Sequence, residues 1–206
     1  MKYQGIRKVH EGRFITRYDV DYVTAEGHAK TYEIISRNGD IRTLAALQNK
    51  TPDSVIMILT DESGERILVN REYRMAMAQW IYNFPAGLID PGETPEQSAK
   101  RELWEETGLT LTAYRCRGLV TFVSDEWPTE YMHLFTGHDF TGELSECSEG
   151  ELVWVPLEQR AALPTWAGDR IFLRLLEEDR PFFSLKLVYT GEALTAAVLD
   201  GRPMAL

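Results

Sequence analysis

The sequence predicts an α/β fold: a mixed sheet held between helices, with an antiparallel β appendage at the N-terminal end. Three observations predict it. Short runs rich in β-branched and aromatic residues recur along the chain, punctuated by Gly, Pro and Asn. Two segments carry helical periodicity, one following Thr94 and one over Asp169–Glu178. Strands lie before and after each helix, which favours one mixed sheet with helices packed on it.

The elements follow in order. Residues 1–45 read as strands and turns. Arg13–Val23 alternates, Ala25–His28 is a turn, Ala29–Ser36 is the returning strand, and Asn38-Gly39 signals another turn. These form an antiparallel hairpin ahead of a main domain over residues 46–206. There, Ser54–Leu59 is apolar enough for a buried strand. Asp61–Glu65 turns into a strand at Arg66–Asn70, and Trp80–Phe84 is a short strand closed by Pro85. Gly87 and Gly92 bracket a loop. Thr94, Pro95 and Gln97 then supply an N-cap hydroxyl, a first-turn proline and a capping-box partner. This helix runs to about Thr107 and stops at Gly108, which suits a left-handed cap. Strands are expected at Tyr114–Val123, Glu130–His138 and Leu152–Pro156. The helix over Asp169–Glu178 carries Ile171, Leu175 and Leu176 on one side. Phe182–Tyr189 and Ala196–Leu199 read as a final hairpin.

Composition narrows the function classes. With 206 residues and 44% hydrophobic content, the chain can bury a real core. No apolar run approaches the ~20 residues of a membrane span, and the first residues lack the apolar core of a secretion signal, so a cytoplasmic protein is expected. Cys116 and Cys147 are expected as free thiols, without the spacing of a zinc site. A formal net charge of −10 argues against nucleic-acid and anionic-membrane partners. It leaves room for a small phosphorylated substrate, because divalent cations can supply positive charge locally.

The chemistry concentrates in Gly87–Leu109, GLIDPGETPEQSAKRELWEETGL. Glu102, Glu105 and Glu106 stand at i, i+3 and i+4, so they share one face of the helix. Carboxylates crowded in this way repel unless something positive sits among them. Mg²⁺ or Mn²⁺ suits the role, since hard cations prefer carboxylate and phosphate oxygens. Ala99 and Leu103 lie on the opposite side and can fix the helix to the sheet. Arg101 can reach back to Glu93 and tie the loop to the helix. Gly87 lets backbone approach closely, so a carbonyl of Ala86 or Gly87 can act as a neutral metal ligand.

These residues resemble the box of the Nudix family at every fixed position: Gly87, Glu93, Arg101, Glu102, Leu103, Glu105, Glu106, Gly108 and Leu109. The resemblance implies a Nudix-type α/β/α sandwich around a mixed sheet and hydrolysis of a nucleoside diphosphate linked to another moiety. It implies Glu102 and Glu106 as principal metal ligands and Glu105 as a further ligand or base. Glu93 and Arg101 would orient loop and helix, and the Ala86 carbonyl would complete the coordination. The cofactor implied is Mg²⁺, with Mn²⁺ as its substitute. Metals of this kind neutralise pyrophosphate oxygens and lower the pKa of bound water.

The flanks resemble two Nudix subgroups. Upstream, Tyr32–Arg37, Arg71–Arg74 and Asn83–Asp90 resemble ADP-ribose pyrophosphatases and related nucleotide-sugar hydrolases. In that group Tyr32 would stack on a base, and Arg37 and Arg74 would hold phosphates. The N-terminal strands would help build a homodimer. Downstream, Gly118–Asp125, Thr129–Thr136, Glu149–Trp154 and Leu163–Phe172 resemble bacterial 8-oxo-dGTP diphosphatases. There Trp166 would stack on the purine and Asp169 would bond its edge. Glu149 would be a late acidic residue near the metals or the general base. The run Phe84–Asp90 and the N-terminal hairpin favour the ADP-ribose type. A ligand-sensing regulator is disfavoured by the intact box and the lack of a basic DNA-binding module, and a decapping role lacks a basic groove. Trp80, Trp104, Trp127 and Trp154 are most simply packing residues, with a stacking role open to any one of them.

Overall fold

The computed structural model describes residues 1–36, 38–47, 54–75, 78–127, 129–147 and 150–206. The chain divides into two units, Met1–Thr51 and Pro52–Leu206.

In the first unit, β1 (Lys2–Glu11), β2 (Thr16–Val23) and β3 (Ala29–Ser36) form an antiparallel meander, followed by the single turn of α1 (Leu44–Leu47). The expected hairpin is therefore two strands of three. Alternation along β2 puts Tyr18 and Val20 in the interior with Ile41. The Tyr18 hydroxyl donates to the Asn38 carbonyl (2.8 Å) and accepts from the Ile41 N–H (3.2 Å), so its buried oxygen is satisfied. On the other face Asp19 pairs with Arg7 at 2.5 Å, and that hydrogen bond holds its carboxyl below the usual range.

The second unit contains β4 (Ser54–Leu59), β5 (Arg66–Arg74), β6 (Gln79–Asn83), β7 (Ala86–Leu88), α2 (Pro95–Thr107), β8 (Thr110–Ser124), β9 (Glu130–Thr141) and β10 (Glu151–Pro156). A 3₁₀ turn at Leu157–Ala162, α3 (Ala167–Glu177), β11 (Phe183–Thr190), β12 (Ala193–Leu199) and β13 (Arg202–Met204) complete it. Seven strands form a mixed sheet in the order β13-β12-β11-β8-β9-β4-β7, with β4/β9 and β8/β11 parallel. A second, antiparallel sheet has the order β10-β5-β6.

The strand β4 explains the layering. Val55, Met57 and Leu59 pack in one core with Ala99 and Leu103 of α2, whereas Ile56 and Ile58 pack in another with Phe172, Leu173 and Leu175 of α3. A strand buried on both faces reads as a continuous apolar run, as SVIMIL does. Each fully buried leucine or isoleucine contributes about 1.5–3 kcal/mol of transfer free energy. The result is the mixed sheet between helices that the sequence implies.

Three of the four tryptophans expected in the core are at the surface. Trp80, Trp104 and Trp127 are 50%, 59% and 62% exposed. Trp80 lies on β6 under the Arg71 guanidinium and edge-on to Tyr73, and Trp104 lies on the outer face of α2. Trp154 does pack inward, stacked on Phe140. Cys116 and Cys147 are free thiols. Among the described residues, no helix is long and apolar enough to cross a membrane.

Candidate active site

The loop and helix that carry the acidic residues are held by local chemistry. Thr94 is extended, its hydroxyl accepts from the Gln97 N–H (3.3 Å), and the Gln97 side chain accepts from the Thr94 N–H (2.9 Å). Gly108 ends α2 in the left-handed region at φ 76°. Leu103 and Ala99, fully buried, set the rotation of the helix against β4. That rotation leaves Glu102 and Glu106 on the side facing β7, with Glu105 more exposed beside them.

Gly87 and Glu102 are in close apposition. A Cβ built on Gly87 would lie 1.9 Å from the Glu102 Cδ, so only glycine leaves room for that carboxylate. The N–H of Ala86 donates to Glu106 Oε2 at 3.3 Å. Backbone at Ala86–Gly87 thus touches two of the three glutamates. Ser98 donates from its buried hydroxyl to the Leu88 carbonyl (3.0 Å), which ties the end of β7 to α2.

The positive charge among the carboxylates is Arg101. Its Nε and Nη2 grip Glu93 at 2.9 and 2.8 Å, a bidentate pair. Nη1 reaches Glu102 at 2.8 Å and Glu105 at 3.2 Å, and Nη2 also donates to the Leu88 carbonyl at 3.0 Å. The hydrogen bond from Arg101 lowers the Glu93 carboxyl to about 2, so the loop clamp stays charged well into acid. Glu102 is only 15% exposed, and desolvation pushes its carboxyl above the usual range despite Arg101.

The donor set fits a hard divalent cation. Glu102 and Glu106 offer carboxylate oxygens beside backbone that carries no side chain at Gly87. Among the described residues, no three His, Cys, Asp or Glu side chains converge into a ready metal site. The geometry gives the reason: Arg101 occupies the space between Glu102 and Glu105 and engages one oxygen of each.

The remaining expected residues are distributed as follows. Arg37 and Glu149 lie outside the described residues. Tyr32 is on β3 of the first unit, edge-on to Tyr22 with the Lys30 ammonium over its ring. Arg74 ends β5 and pairs with Glu72 at 2.7 Å. Trp166 caps the start of α3 and packs edge-on against Tyr189 in the core beneath that helix. Asp169, in the first turn of α3, has its carboxyl pushed up to about 7 by desolvation. Sequence reasoning did not single out Glu72, Asn83 or Ser98. Ser98 had one legible signal, its place one turn before Arg101 on the same side of the helix.

Comparison with known proteins places this geometry in a family. The NUDIX domain profile matches residues 50–176. A CMP-5'-(N-acetyl-N-hydroxy-3-aminopropyl)phosphonate hydrolase of Streptomyces rubellomurinus is 29% identical over 78% of this chain and 71% of its own length. The ADP-ribose pyrophosphatase of Bacillus subtilis is 30% identical over 72% of each chain. An oxidized purine nucleoside triphosphate hydrolase of Danio rerio is 27% identical over 64% of this chain and 84% of its own. Two solved structures share the fold. A MutT mutator protein from Bacillus halodurans has a TM-score of 0.65 at 24% identity, covering 73% of this chain and 98% of that one. An ADP compounds hydrolase has a TM-score of 0.57 at 20% identity, covering 87% and 97%.

Proposed function

The chain belongs to the Nudix family of hydrolases, and from that premise we propose that it is a Mg²⁺-dependent pyrophosphohydrolase acting on ADP-ribose or a related nucleotide-sugar. The products are a nucleoside monophosphate and a sugar phosphate. The observation that carries the reading is the seating of Glu102 and Glu106 against the Ala86–Gly87 backbone, with Arg101 clamping Glu93 beside them. Glu102, Glu106 and the Ala86 carbonyl would hold the cation, with Glu105 as a further ligand. The bound cation supplies charge neutralisation for the diphosphate and acidifies water.

The chain's own groups do the rest. Arg101 holds the Glu93 loop and the Glu102 carboxylate in register, so little reorganisation is left for the reaction. Water attacks one phosphorus, its oxygen forms the new P–O bond, and the bridging P–O bond breaks. The proton of that water passes to a carboxylate, Glu105 or Glu149, and the leaving phosphate departs with the bridging oxygen. The Bacillus subtilis relative's name and the run Phe84–Asp90 support the nucleotide-sugar class.

One observation favours a second substrate, an oxidised purine nucleoside triphosphate. Trp166 is partly buried at the head of α3, packed edge-on against Tyr189, and Asp169 in the next turn carries a carboxyl shifted to about 7. At neutral pH such a group is protonated in a large share of molecules and can donate to a base edge. A hydrolysis panel of ADP-ribose, sugar nucleotides, 8-oxo-dGTP and ordinary triphosphates decides between them. We expect the highest kcat/KM with ADP-ribose or a sugar nucleotide. A preference for 8-oxo-dGTP would replace the substrate and keep the chemistry.

The N-terminal sheet is proposed to serve a homodimer. Phe14 and Ile15 in the β1–β2 connection and Ile35 on β3 are exposed apolar side chains of the kind that association covers. Sedimentation should show a dimer that weakens when residues 1–45 are deleted; a full-length monomer would refute the assignment.

A further inference from the structure

We infer that Glu72 is a positioning residue, held by Asn83, that aims the Arg74 guanidinium at the diphosphate of the substrate. This inference rests on the diphosphate reading above and on Arg74 as a phosphate contact.

The register of β5 supplies the starting point. β5 pairs with β10 and β6 without a bulge, so side chains alternate strictly from Leu68 onward. Leu68 packs in the core with Ala99 and Leu103 of α2. Asn70, Glu72 and Arg74 therefore lie on the same side of β5 as the helix that carries the acidic row. Asn83, on β6, is opposite Asn70 and shares that side. Three residues after Asn83, the N–H of Ala86 meets Glu106. Asn83 thus adjoins the backbone of the site, and Arg74, opposite Gln79, forms the outer end of the row.

The contacts within the row are ordered from buried to exposed. Asn83 Nδ2 donates to Glu72 Oε2 at 2.8 Å. The other oxygen, Oε1, pairs with Arg74 Nε at 2.7 Å. The Glu72 side chain is 15% exposed and that of Arg74 is 51% exposed. An anchored carboxylate thus holds the inner nitrogen of a guanidinium whose outer end faces solvent. Among the described residues, neither terminal amino group of Arg74 makes a hydrogen bond. A planar fork with both ends open is suited to two phosphate oxygens, and fixing it beforehand removes rotamer entropy from binding.

The sign of the Glu72 effect separates positioning from electrostatics. A carboxylate beside a phosphate-binding arginine repels the phosphate. If Glu72 acted by charge alone, Glu72→Ala would tighten substrate binding. If it aims Arg74, the same change weakens binding although a negative charge is removed. A contact made equally in ground and transition states appears in KM and leaves kcat nearly unchanged.

The test is steady-state kinetics on the full chain with Mg²⁺, using ADP-ribose and 8-oxo-dGTP as probes, since both present a diphosphate. Arg74→Ala should raise KM about 30-fold, in the range of a lost charge-assisted contact. Glu72→Ala should raise KM about 10-fold with kcat within about twofold, and Glu72→Gln, which keeps an oxygen for Arg74, should recover most of it. The double variant should match Arg74→Ala alone, because Glu72 has no route to the substrate once the guanidinium is gone. Thermal melts separate these effects from loss of fold, and Glu72→Gln keeps the test informative if Glu72→Ala unfolds. A lowered or unchanged KM for Glu72→Ala, or additive effects in the double variant, would overturn the positioning role and leave the diphosphate reading intact. An unchanged KM for Arg74→Ala would remove Arg74 and Glu72 together. Failure of the wild type to hydrolyse either probe would overturn the diphosphate reading itself.

Discussion

Glu106→Gln is expected to lose at least ~100-fold in kcat while the protein melts within a few degrees of wild type. The size follows from what the substitution removes. Glu106 sits on the helix face toward β7, with one carboxylate oxygen 3.3 Å from the Ala86 N–H. Glutamine keeps the volume and an oxygen for that N–H, so the local packing survives. It removes the negative charge that a divalent cation needs beside Glu102. Isothermal titration with Mg²⁺ should show the weakened uptake directly, and single-turnover kinetics should show the slow step. Wild-type turnover by this variant would strip Glu106 of its assigned role.

Gly87→Ala should produce a loss of similar size from one methyl group. The new Cβ would lie 1.9 Å from Glu102 Cδ, and 2.2 and 2.4 Å from its two oxygens. These distances are far inside contact. The carboxylate is the end of a flexible side chain, so it swings away at small cost in stability. Swinging breaks its 2.8 Å bond to Arg101 Nη1 and moves a carboxylate oxygen out of the proposed cation site. We expect kcat to fall about 100-fold or more with a melting temperature lowered by only about 2–4 °C, a change on the order of 1 kcal/mol for a chain of this size. Near-normal activity would mean that Glu102 tolerates displacement and that the close packing at Gly87 is incidental. A collapse of stability equal to the loss of activity would mean that the strand moved instead of the side chain.

What could be read from the sequence divides by range of interaction. The helix α2 was legible to the residue, because Thr94, Pro95, Gln97 and Gly108 are local signals that need no partner elsewhere. The strand β4 was equally legible, since burial on both faces leaves no polar alternation to confuse. β1 was missed for the opposite reason. Its residues are largely exposed, charged side chains interrupt the apolar ones, and pairing with β2 rather than burial makes it a strand. β7 and β13 are three-residue edge strands containing Gly87 and Pro203, residue types that argue against strands until a neighbour supplies the ladder. Of the site, the loop–helix clamp between Glu93 and Arg101 was legible from spacing. Glu72 was not, because an acidic residue near a strand end reads as solvated, and only the pairing of β5 with β6 brings Asn83 to it. Surface tryptophans were misjudged because hydrophobicity says nothing of which face an aromatic occupies. Trp104 shares α2 with Leu103 and points the other way.

The short strand β7 is hydrogen-bonded to β4, and the carbonyl of Pro85 just before it accepts from Met57 at 2.8 Å. The helix opposite rests on Val55, Met57 and Leu59 of that same central strand. The two halves of the proposed site are thus bolted to one beam, so a displacement of the beam carries both and preserves their spacing. Remodelled outer loops leave the alignment alone, whereas a void beneath either half would tilt it and slow turnover before the melting curve registered much change.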